Sequence, residues 1–183
     1  VTISDANATA IDATDLSTIG ALTTGTVTVT NAIVISGTES QVTAALVTAD
    51  TKVIVSDATV TISDANTTAL EVTDLSTIGG KTTGTVTVSN AVVLTGTQAE
   101  LEAALITADT KVVATTANVT VEDAASISEL AAIDAAIATM SYSTVADTTS
   151  NAATNTGSYI TGSKTVTISD ANATAIDATD LST

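Results

Sequence analysis

The chain has 183 residues and a formal net charge of −16, with 20 acidic residues against four lysine or arginine residues. Such a chain lacks the basic footprint that nucleic-acid phosphates require, and an anionic membrane surface would repel it. Its 44% hydrophobic content argues against a disordered acidic tail, so the chain should fold.

Repeats organise the sequence from its first residue. Residues 1–18, VTISDANATAIDATDLST, recur letter for letter as residues 166–183, which gives a period of 165 residues. The predicted units are 1–59 (repeat 1), 60–118 (repeat 2), 119–165 (a divergent third repeat with a polar insertion at 141–165) and 166–183 (the start of the next super-repeat). Repetition at a fixed period is typical of solenoids and arrays, in which stacked units share one core.

Within repeat 1, residues 27–52 begin with a β-branched run of period 2 and continue with a run of period near 3.6. Alternating Val27, Val29, Asn31, Ile33 and Ile35 predict a strand that is broken by a corner at the Thr-Asn step. The next apolar positions have helical spacing: Val42, Ala45, Leu46 and Ala49.

The sequence 86–111 repeats this pattern. We call one strand–corner–strand–helix stretch a coil.

Helix starts are indicated by paired polar residues. Thr38 with Gln41, Thr97 with Glu100, and Ser126 with Glu129 all have capping-box spacing.

The second type of coil, residues 53–85, has a strand followed by the stretch DANTTALEVTDLSTIG, which we interpret as a helix. Equivalent aspartates then stand where helices would begin and are predicted to be their N-caps: Asp5, Asp64, Asp123 and Asp170.

The third repeat starts like the others and then departs from them. Ile127, Leu130, Ala131, Asp134 and Ile137 predict one helix, after which residues 141–165 are rich in Ser, Thr, Asn and Gly. We expect that segment to replace a helix by a surface loop or a pair of irregular strands. Insertions in repeat proteins map to one face and often carry the binding function, so this segment, which holds both tyrosines, is the candidate contact face. A polar excursion without a binding role is the alternative.

Together these patterns predict an α/β fold, namely a right-handed solenoid of stacked strand–corner–strand–helix coils with parallel β-sheets. A pure β-solenoid is the alternative, since Thr-rich segments such as 66–78 are only fair helix formers. No stretch approaches the roughly 20 apolar residues of a membrane span.

Chemistry offers few candidates. The chain has no histidine and no cysteine, so it lacks an imidazole base and a thiol nucleophile, and we predict that it is not an enzyme and has no catalytic or cofactor-binding residues. Oxygen ligands favour Ca²⁺ as the one metal partner to consider, with Asp50, Asp109, Asp57 and Asp64 as candidate ligands. The alternatives are helix capping for Asp64 and a local ion pair with lysine for Asp50 and Asp109.

The phrases ISDANATA…TTGTVTV and TADTKV resemble the tandem Thr/Ala/Val/Asp-rich modules of giant secreted bacterial (cyanobacterial-type) surface proteins, called hemolysin-type or cadherin-like. The resemblance covers residues 1–140 at the level of phrasing, and the glycine-rich calcium nonapeptide of RTX proteins is absent. It implies export to the cell surface, a much longer parent chain and a structural or adhesive role.

We therefore expect a structural segment of a long extracellular repeat protein that forms a surface filament, fibre or S-layer by stacking and lateral self-association. The alternative is an adhesin stalk, or an ice- or glycan-binding module that contacts its ligand through residues 141–165.

Overall fold

The structure is a computed structural model, and it describes residues 1–172 and 174–176. Over these residues the chain is an α/β protein whose strand pairs are all parallel. The predicted α/β class is thus confirmed. The all-β alternative is wrong, because six helices follow the strands in chain order.

The strands are short. Their bounds are β1 (Thr2–Ile3), β2 (Ala10–Asp12), β3 (Val27–Val29), β4 (Val34–Gly37), β5 (Val53–Ile54), β6 (Thr59–Ile62), β7 (Ala69–Glu71), β8 (Val86–Val88), β9 (Val93–Gly96), β10 (Val112–Val113), β11 (Asn118–Val121), β12 (Thr139–Ser141), β13 (Thr144–Asp147) and β14 (Thr165–Ile168).

The helices are α1 (Ala13–Ala21), α2 (Glu39–Leu46), α3 (Val72–Gly79), α4 (Gln98–Leu105), α5 (Ile127–Asp134) and α6 (Thr149–Thr154), with a 3-10 helix at Ala49–Thr51.

Most strands pair with a strand of the next coil, whereas β5, β10, β12 and β14 are the last strands of their sheets. Thr2 lies opposite Thr28, and Thr28 lies opposite Ile54, which is a spacing of 26 residues. The resulting sheets have the orders β1-β3-β5, β10-β8-β6-β4-β2, β12-β11-β9-β7 and β13-β14. Parallel strands at this spacing need a crossover, and the helix of each coil supplies it.

The helices follow the same progression, since α1 packs on α2, α2 on α3, α3 on α4 and α4 on α5. Between helices and strands lies a core of aliphatic side chains. The largest fully buried ones are Leu16, Ile33, Ile35, Ile62, Leu75, Ile78, Leu94, Leu101, Leu130, Ile133, Val27 and Val42. Each contributes roughly 1.5–3 kcal/mol of hydrophobic free energy before conformational entropy is subtracted.

Repeats 1 and 2 share their unusual backbone angles. Ala8 and its copy Thr67 have φ of 62° and 65°, and Lys52 and its copy Lys111 have φ of 51° and 50°. Left-handed backbone is uncommon for residues with a side chain, so its recurrence shows that the two repeats close their turns in the same way.

The capping boxes are confirmed. Thr38, Thr97 and Ser126 each accept a hydrogen bond from the backbone of the residue three positions later, and the side chain of that residue bonds back. In α2 the predicted face is buried at Val42, Ala45 and Leu46, but the helix ends before Ala49. In α5 the prediction was wrong at Ala131 and Asp134: both are exposed, and Ile133 takes the buried position.

The helix predicted over residues 64–79 is much shorter than expected. Residues 64–68 form a turn and β7 follows, so α3 begins only at Val72. In repeat 1 the equivalent helix is α1, and its N-cap is Asp12, whose side chain accepts from the Thr14 N–H at 3.0 Å. Thr-rich sequence has weak helix propensity, and pairing with β9 gives these residues an alternative partner.

The prediction of a surface loop or of irregular strands for residues 141–165 was wrong in part. The segment contains β13 and the short helix α6, and at its end β14 pairs with β13. Thr148 caps α6 by accepting from the Asn151 N–H at 3.3 Å. The third repeat therefore keeps the strand-and-helix pattern.

Candidate functional site

The structure places the four candidate calcium ligands in different surroundings. Asp50 is exposed, and its backbone carbonyl accepts from Lys52 Nζ at 3.1 Å, so the lysine contacts main chain rather than the carboxylate. Asp109 is exposed in the equivalent turn. The carboxylate of Asp57 accepts from Ser56 Oγ at 3.0 Å. Asp64 is buried, with 9% of its surface exposed.

The structure does not bring these four residues together in one cluster. Calcium takes six to eight oxygen ligands, and in the part of the chain that the structure describes no three acidic side chains converge on one point.

Asp64 has a different role, which connects two coils. Its Oδ2 accepts the backbone N–H of Glu39, the first residue of α2, at 2.6 Å. That helix belongs to the preceding coil, so the prediction that Asp64 caps its own helix was wrong. The register of the sheets explains the difference, because it places the end of β6 beside the start of α2.

The same contact recurs along the molecule. Asp123 Oδ1 accepts from the Gln98 N–H of α4 at 2.6 Å, and Asp147 Oδ2 accepts from the Ile127 N–H of α5 at 3.0 Å. Asp170 Oδ2 accepts from the Thr149 N–H of α6 at 2.9 Å and from the Thr149 hydroxyl. In each case a carboxylate satisfies an N–H that its helix leaves free, and it stands where the helix dipole favours negative charge.

These hydrogen bonds perturb the acidity of the last two carboxyl groups. Burial raises the pKa of Asp147, but hydrogen bonds from Asn151 and from the N–H groups of Ile127 and Thr148 outweigh it and lower the pKa below its ordinary value. Hydrogen bonds from the side chain and backbone of Thr149 lower the pKa of Asp170. Both groups therefore stay ionised when they cap a helix.

Asparagines add a second contact between coils. Asn31 Nδ2 donates to the Asp5 carbonyl at 2.6 Å, and its copy Asn90 donates to the Asp64 carbonyl at 2.7 Å. Each coil is thus attached to the one before it by side chain as well as by strand pairing.

The two tyrosines of the polar insertion contact other residues of the same chain. Tyr142 Oη donates to the Tyr159 carbonyl at 2.6 Å, and Tyr159 Oη contacts the Asp134 carboxylate at 3.3 Å. Lys164 Nζ lies 4.0 Å from the centre of the Tyr142 ring. Burial, and then the negative charge of Asp134, raise the pKa of both phenols. The cluster connects the insertion to Asp134 at the end of α5, and both tyrosine side chains are half-buried.

A groove of about 270 Å³ lies between α5 and α6, lined by Ile127, Ala131, Asp147, Asn151 and Thr154 among others. Its charged member, Asp147, is already committed to the Ile127 N–H and to Asn151. The carboxylate of the groove is therefore already used within the fold.

The two ends of the described chain leave strand edges open. On one side β1 pairs only with β3, and on the other β14 pairs only with β13. Large apolar side chains are exposed at both places: Val1 is 62% exposed, and Val166 and Ile168 are each 37% exposed. β5 and β10 are edge strands as well, and Ile54 and Val113 in them are 56% and 42% exposed.

Sequence reasoning did not single out Asp147, and it assigned Asp64 the wrong partner. A signal was present, since each aspartate that caps the helix of the preceding coil completes the pattern Ile/Val-x-Asp at or just after the end of a strand: residues 62–64, 121–123, 145–147 and 168–170. The pattern locates the carboxylate, but only the strand register shows which helix it caps.

Comparison of the chain with protein-family models, curated proteins and solved structures finds no match. Among the residues that the structure describes, no helix is both long and apolar enough to cross a membrane.

Proposed function

We propose that this chain is a structural segment of a long extracellular repeat protein, built as a solenoid, which forms a surface filament, fibre or S-layer by stacking and lateral self-association. The observation that carries the proposal is the pairing of β14 with β13. β14 is the first strand of a second copy of the 165-residue sequence. It pairs with a strand of the preceding coil, as the inner strands of the molecule do.

The regular register supports the solenoid. Equivalent strands pair at spacings of 24–26 residues through repeats 1 and 2, as Ala10 with Val34, Ile35 with Val60, and Thr87 with Val113 illustrate. The Asp-to-helix contacts and the asparagine contacts repeat in step with the strands. Such a protein derives its stability from contacts between neighbouring coils, so each added coil adds stabilising contacts.

The chemistry of the surface supports a structural role over catalysis. Each aspartate that completes the Ile/Val-x-Asp pattern at or just after the end of a strand, from Asp64 to Asp170, holds a helix N–H. Carboxylates that recur once per coil with a backbone partner serve assembly of the fold, and the residues of the insertion contact one another. This favours the structural hypothesis over a ligand-binding role for residues 141–165.

The test is the assembly state of the purified 183-residue chain, measured by sedimentation and electron microscopy over a range of protein concentration. We expect oligomers or filaments that grow with concentration. Salt should promote them, because neighbouring chains of net charge −16 repel one another less when screened. Parallel samples with calcium and with a chelator separate bridging by the ion from general screening. A monomer at every concentration and ionic strength would contradict the proposal.

A further inference from the structure

Two exposed aliphatic side chains occupy equivalent positions inside the repeats. Ile54 of β5 is 56% exposed, and Val113 of β10, its copy in repeat 2, is 42% exposed. Both strands lie between described coils, so their exposure is a property of the fold. Aliphatic side chains that stay in solvent at the same place in two repeats indicate a contact surface.

The neighbouring strands show that the fold does not require an aliphatic residue at this place. Ile54 lies opposite Thr28, which lies opposite Thr2, and both threonines are exposed. In repeat 2, Val113 lies opposite Thr87. Threonine is β-branched, as isoleucine and valine are, and suits a strand equally well. The change from threonine to an aliphatic residue occurs at the last strand of the sheet in both repeats.

The following coil of the chain places no strand on the outer edge of β5. The spacing of 26 residues between paired strands leads from Ile54 to Gly80, which is the first residue after α3. There the Thr83 N–H donates to the Ser56 carbonyl at 2.8 Å, so a turn lies beside the end of β5. Because this next coil already occupies the position, further repeats of the chain would not cover the edge.

Backbone groups also face this edge. The Lys52 carbonyl accepts from the Val27 N–H of β3 at 3.0 Å, and neighbouring residues of a strand direct their backbone groups to opposite edges. The backbone groups of Val53 therefore point away from β3. The edge of β5 combines hydrogen-bonding groups with an exposed aliphatic side chain, which is the chemistry of a docking edge.

A groove of about 330 Å³ lies along β5. Its lining includes Leu46, Val47, Ile54, Lys52 and Lys81. The groove thus combines aliphatic side chains with two of the four positively charged side chains of a chain whose net charge is −16. The partner that fits this chemistry has an acidic surface.

Repeat 2 has a related surface at β10. Val113 takes the place of Ile54, and a lysine two residues earlier, Lys111, is kept. The place of Lys81 is taken by Met140, so this surface has one lysine fewer. We therefore expect the stronger contact in repeat 1.

A second copy of the chain carries the complementary charge. None of the six described α-helices contains a lysine, and Asp15, Asp74 and Glu102 are exposed on them. Asp15 and Asp74 are equivalent residues of repeats 1 and 2, as Ile54 and Val113 are. Acidic groups and grooves thus recur with the same step along the chain, so two copies can match at more than one place. An acidic partner without this step could not.

We infer that the groove along β5 is the lateral docking site for a second copy of this chain, whose acidic helix surface pairs with Lys52 and Lys81. This rests on the function proposed above and names the surface through which lateral self-association occurs. Ile54 becomes buried in the contact, and Val113 makes the weaker equivalent contact in repeat 2.

Substitution by threonine tests the aliphatic part of the site on the full chain. Ile54→Thr introduces the residue that β3 already has at Thr28, so the circular dichroism spectrum and the unfolding midpoint should not change. The protein concentration needed for assembly should rise roughly tenfold or more, because the variant buries less apolar surface in the contact. Adding Val113→Thr should raise it further. The control is Leu22→Thr, since Leu22 is 83% exposed and does not line the groove.

A matched pair of lysine variants tests the charged part. Lys81→Gln and Lys164→Gln change the net charge equally, so both increase the general repulsion between copies to the same extent. Lys164 lies 4.0 Å from the centre of the Tyr142 ring and does not line the groove. Lys81→Gln should raise the concentration needed for assembly by about threefold more than Lys164→Gln does.

A carbodiimide, which joins lysine to carboxylate without a spacer, identifies the contact directly. Isotope-labelled and unlabelled chains are mixed, assembled and cross-linked, and a peptide pair with mixed labels must then come from two copies. We expect mixed pairs that join Lys52 or Lys81 to acidic residues of the helices. The Ile54→Thr variant should give far fewer of them at the same protein concentration.

If Ile54→Thr and Lys81→Gln assemble as their controls do, or if mixed pairs form at Lys164 and not at the groove, this docking site is wrong and the proposed function stands. If the unmodified chain is monomeric at every concentration and ionic strength, both are wrong.

Discussion

The first coil and its copy in repeat 2 have nearly the same sequence but different surroundings. Ile3 is only partly buried, whereas Ile62, 59 residues later, is fully buried. Asp5 is exposed and Asp64 is buried. The difference arises because β6 lies between β4 and β8, whereas β1 has β3 alone as its neighbour.

Some other equivalent positions do not differ. Leu16 and Leu75 are both fully buried. Leu16 is fully buried although no described coil lies before it, so its own coil and the following one are enough to cover it. Some side chains are therefore buried by their own coil and the next one, whereas others are buried only when a preceding coil covers them. Equivalent substitutions in the two repeats should separate the same two kinds.

The largest difference is expected at the isoleucine pair. Ile62→Ala removes a fully buried side chain and should lower the free energy of unfolding by about 2–5 kcal/mol, as core truncations do. Ile3→Ala should cost only about 1 kcal/mol in the monomer, since Ile3 is covered from one side. Denaturant titration of both variants at low protein concentration measures the pair. Equal costs would show that the preceding coil contributes nothing to the burial of Ile62.

The glycine pair should show no difference between repeats. A Cβ on Gly79 would lie 2.1 Å from the Thr110 carbonyl oxygen, and a Cβ on Gly20 would lie 2.1 Å from the Thr51 carbonyl oxygen. Both contacts come from the following coil, so Gly79→Ala and Gly20→Ala should each destabilise the chain by about 1–3 kcal/mol, as overpacking does.

Gly80→Ala is the matched control for the glycine pair. Its nearest contact is at 3.5 Å and its φ is −68°, so alanine should be neutral or stabilise by about 0.4–1 kcal/mol. Thermal unfolding of the three variants gives the comparison. A stable Gly79→Ala variant would contradict the close packing of α3 on the turn at Thr110.

The aspartate pair tests the contact between coils. Asp64→Ala removes the acceptor of the Glu39 N–H and should cost about 1–2 kcal/mol, in the range of lost N-caps. Asp5→Ala should leave the stability of the monomer unchanged within about 0.5 kcal/mol, because its carboxylate is exposed. Chemical unfolding monitored by circular dichroism measures both. A costly Asp5→Ala with a silent Asp64→Ala would reverse the assignment of the caps.

What could be predicted from the sequence depends on how far apart the contacting residues lie along the chain. Capping boxes and alternating strand residues depend on neighbours within a few positions. The sequence therefore predicted the capping boxes at Thr38, Thr97 and Ser126 correctly. The partner of Asp64 lies 25 residues away and depends on strand register, which composition and periodicity do not specify. Helix α6 was missed because its six residues, TSNAAT, have weak propensity and its N3 residue is Asn151 rather than Glu or Gln.

Acid should weaken the C-terminal contacts before it affects the apolar core. The pKa values of Asp147 and Asp170 are lowered in the folded chain, so their contribution to stability is present above the unfolded value of about 3.9. It is lost as the pH falls through the lower folded values. The unfolding midpoint should therefore decline below about pH 4, and Asp147→Asn should flatten that decline. An unchanged pH profile in the variant would show that another group titrates there.

The smallest effect is expected at the threonine pair Thr28 and Thr87, which tests whether strand side chains that point away from the core matter at all. Thr28 is exposed and Thr87 is partly covered, and strand pairing at both positions uses backbone groups that survive substitution. Thr28→Ala and Thr87→Ala should each change the free energy of unfolding by less than about 0.5 kcal/mol. The control is Thr82→Ala, because Thr82 is buried and its hydroxyl donates to the Ala58 carbonyl at 2.5 Å. Loss of that bond should cost about 1–2 kcal/mol. If Thr28→Ala were as costly as Thr82→Ala, the outer face of β3 would be covered in solution, and a lateral contact between copies would be the surface to map next.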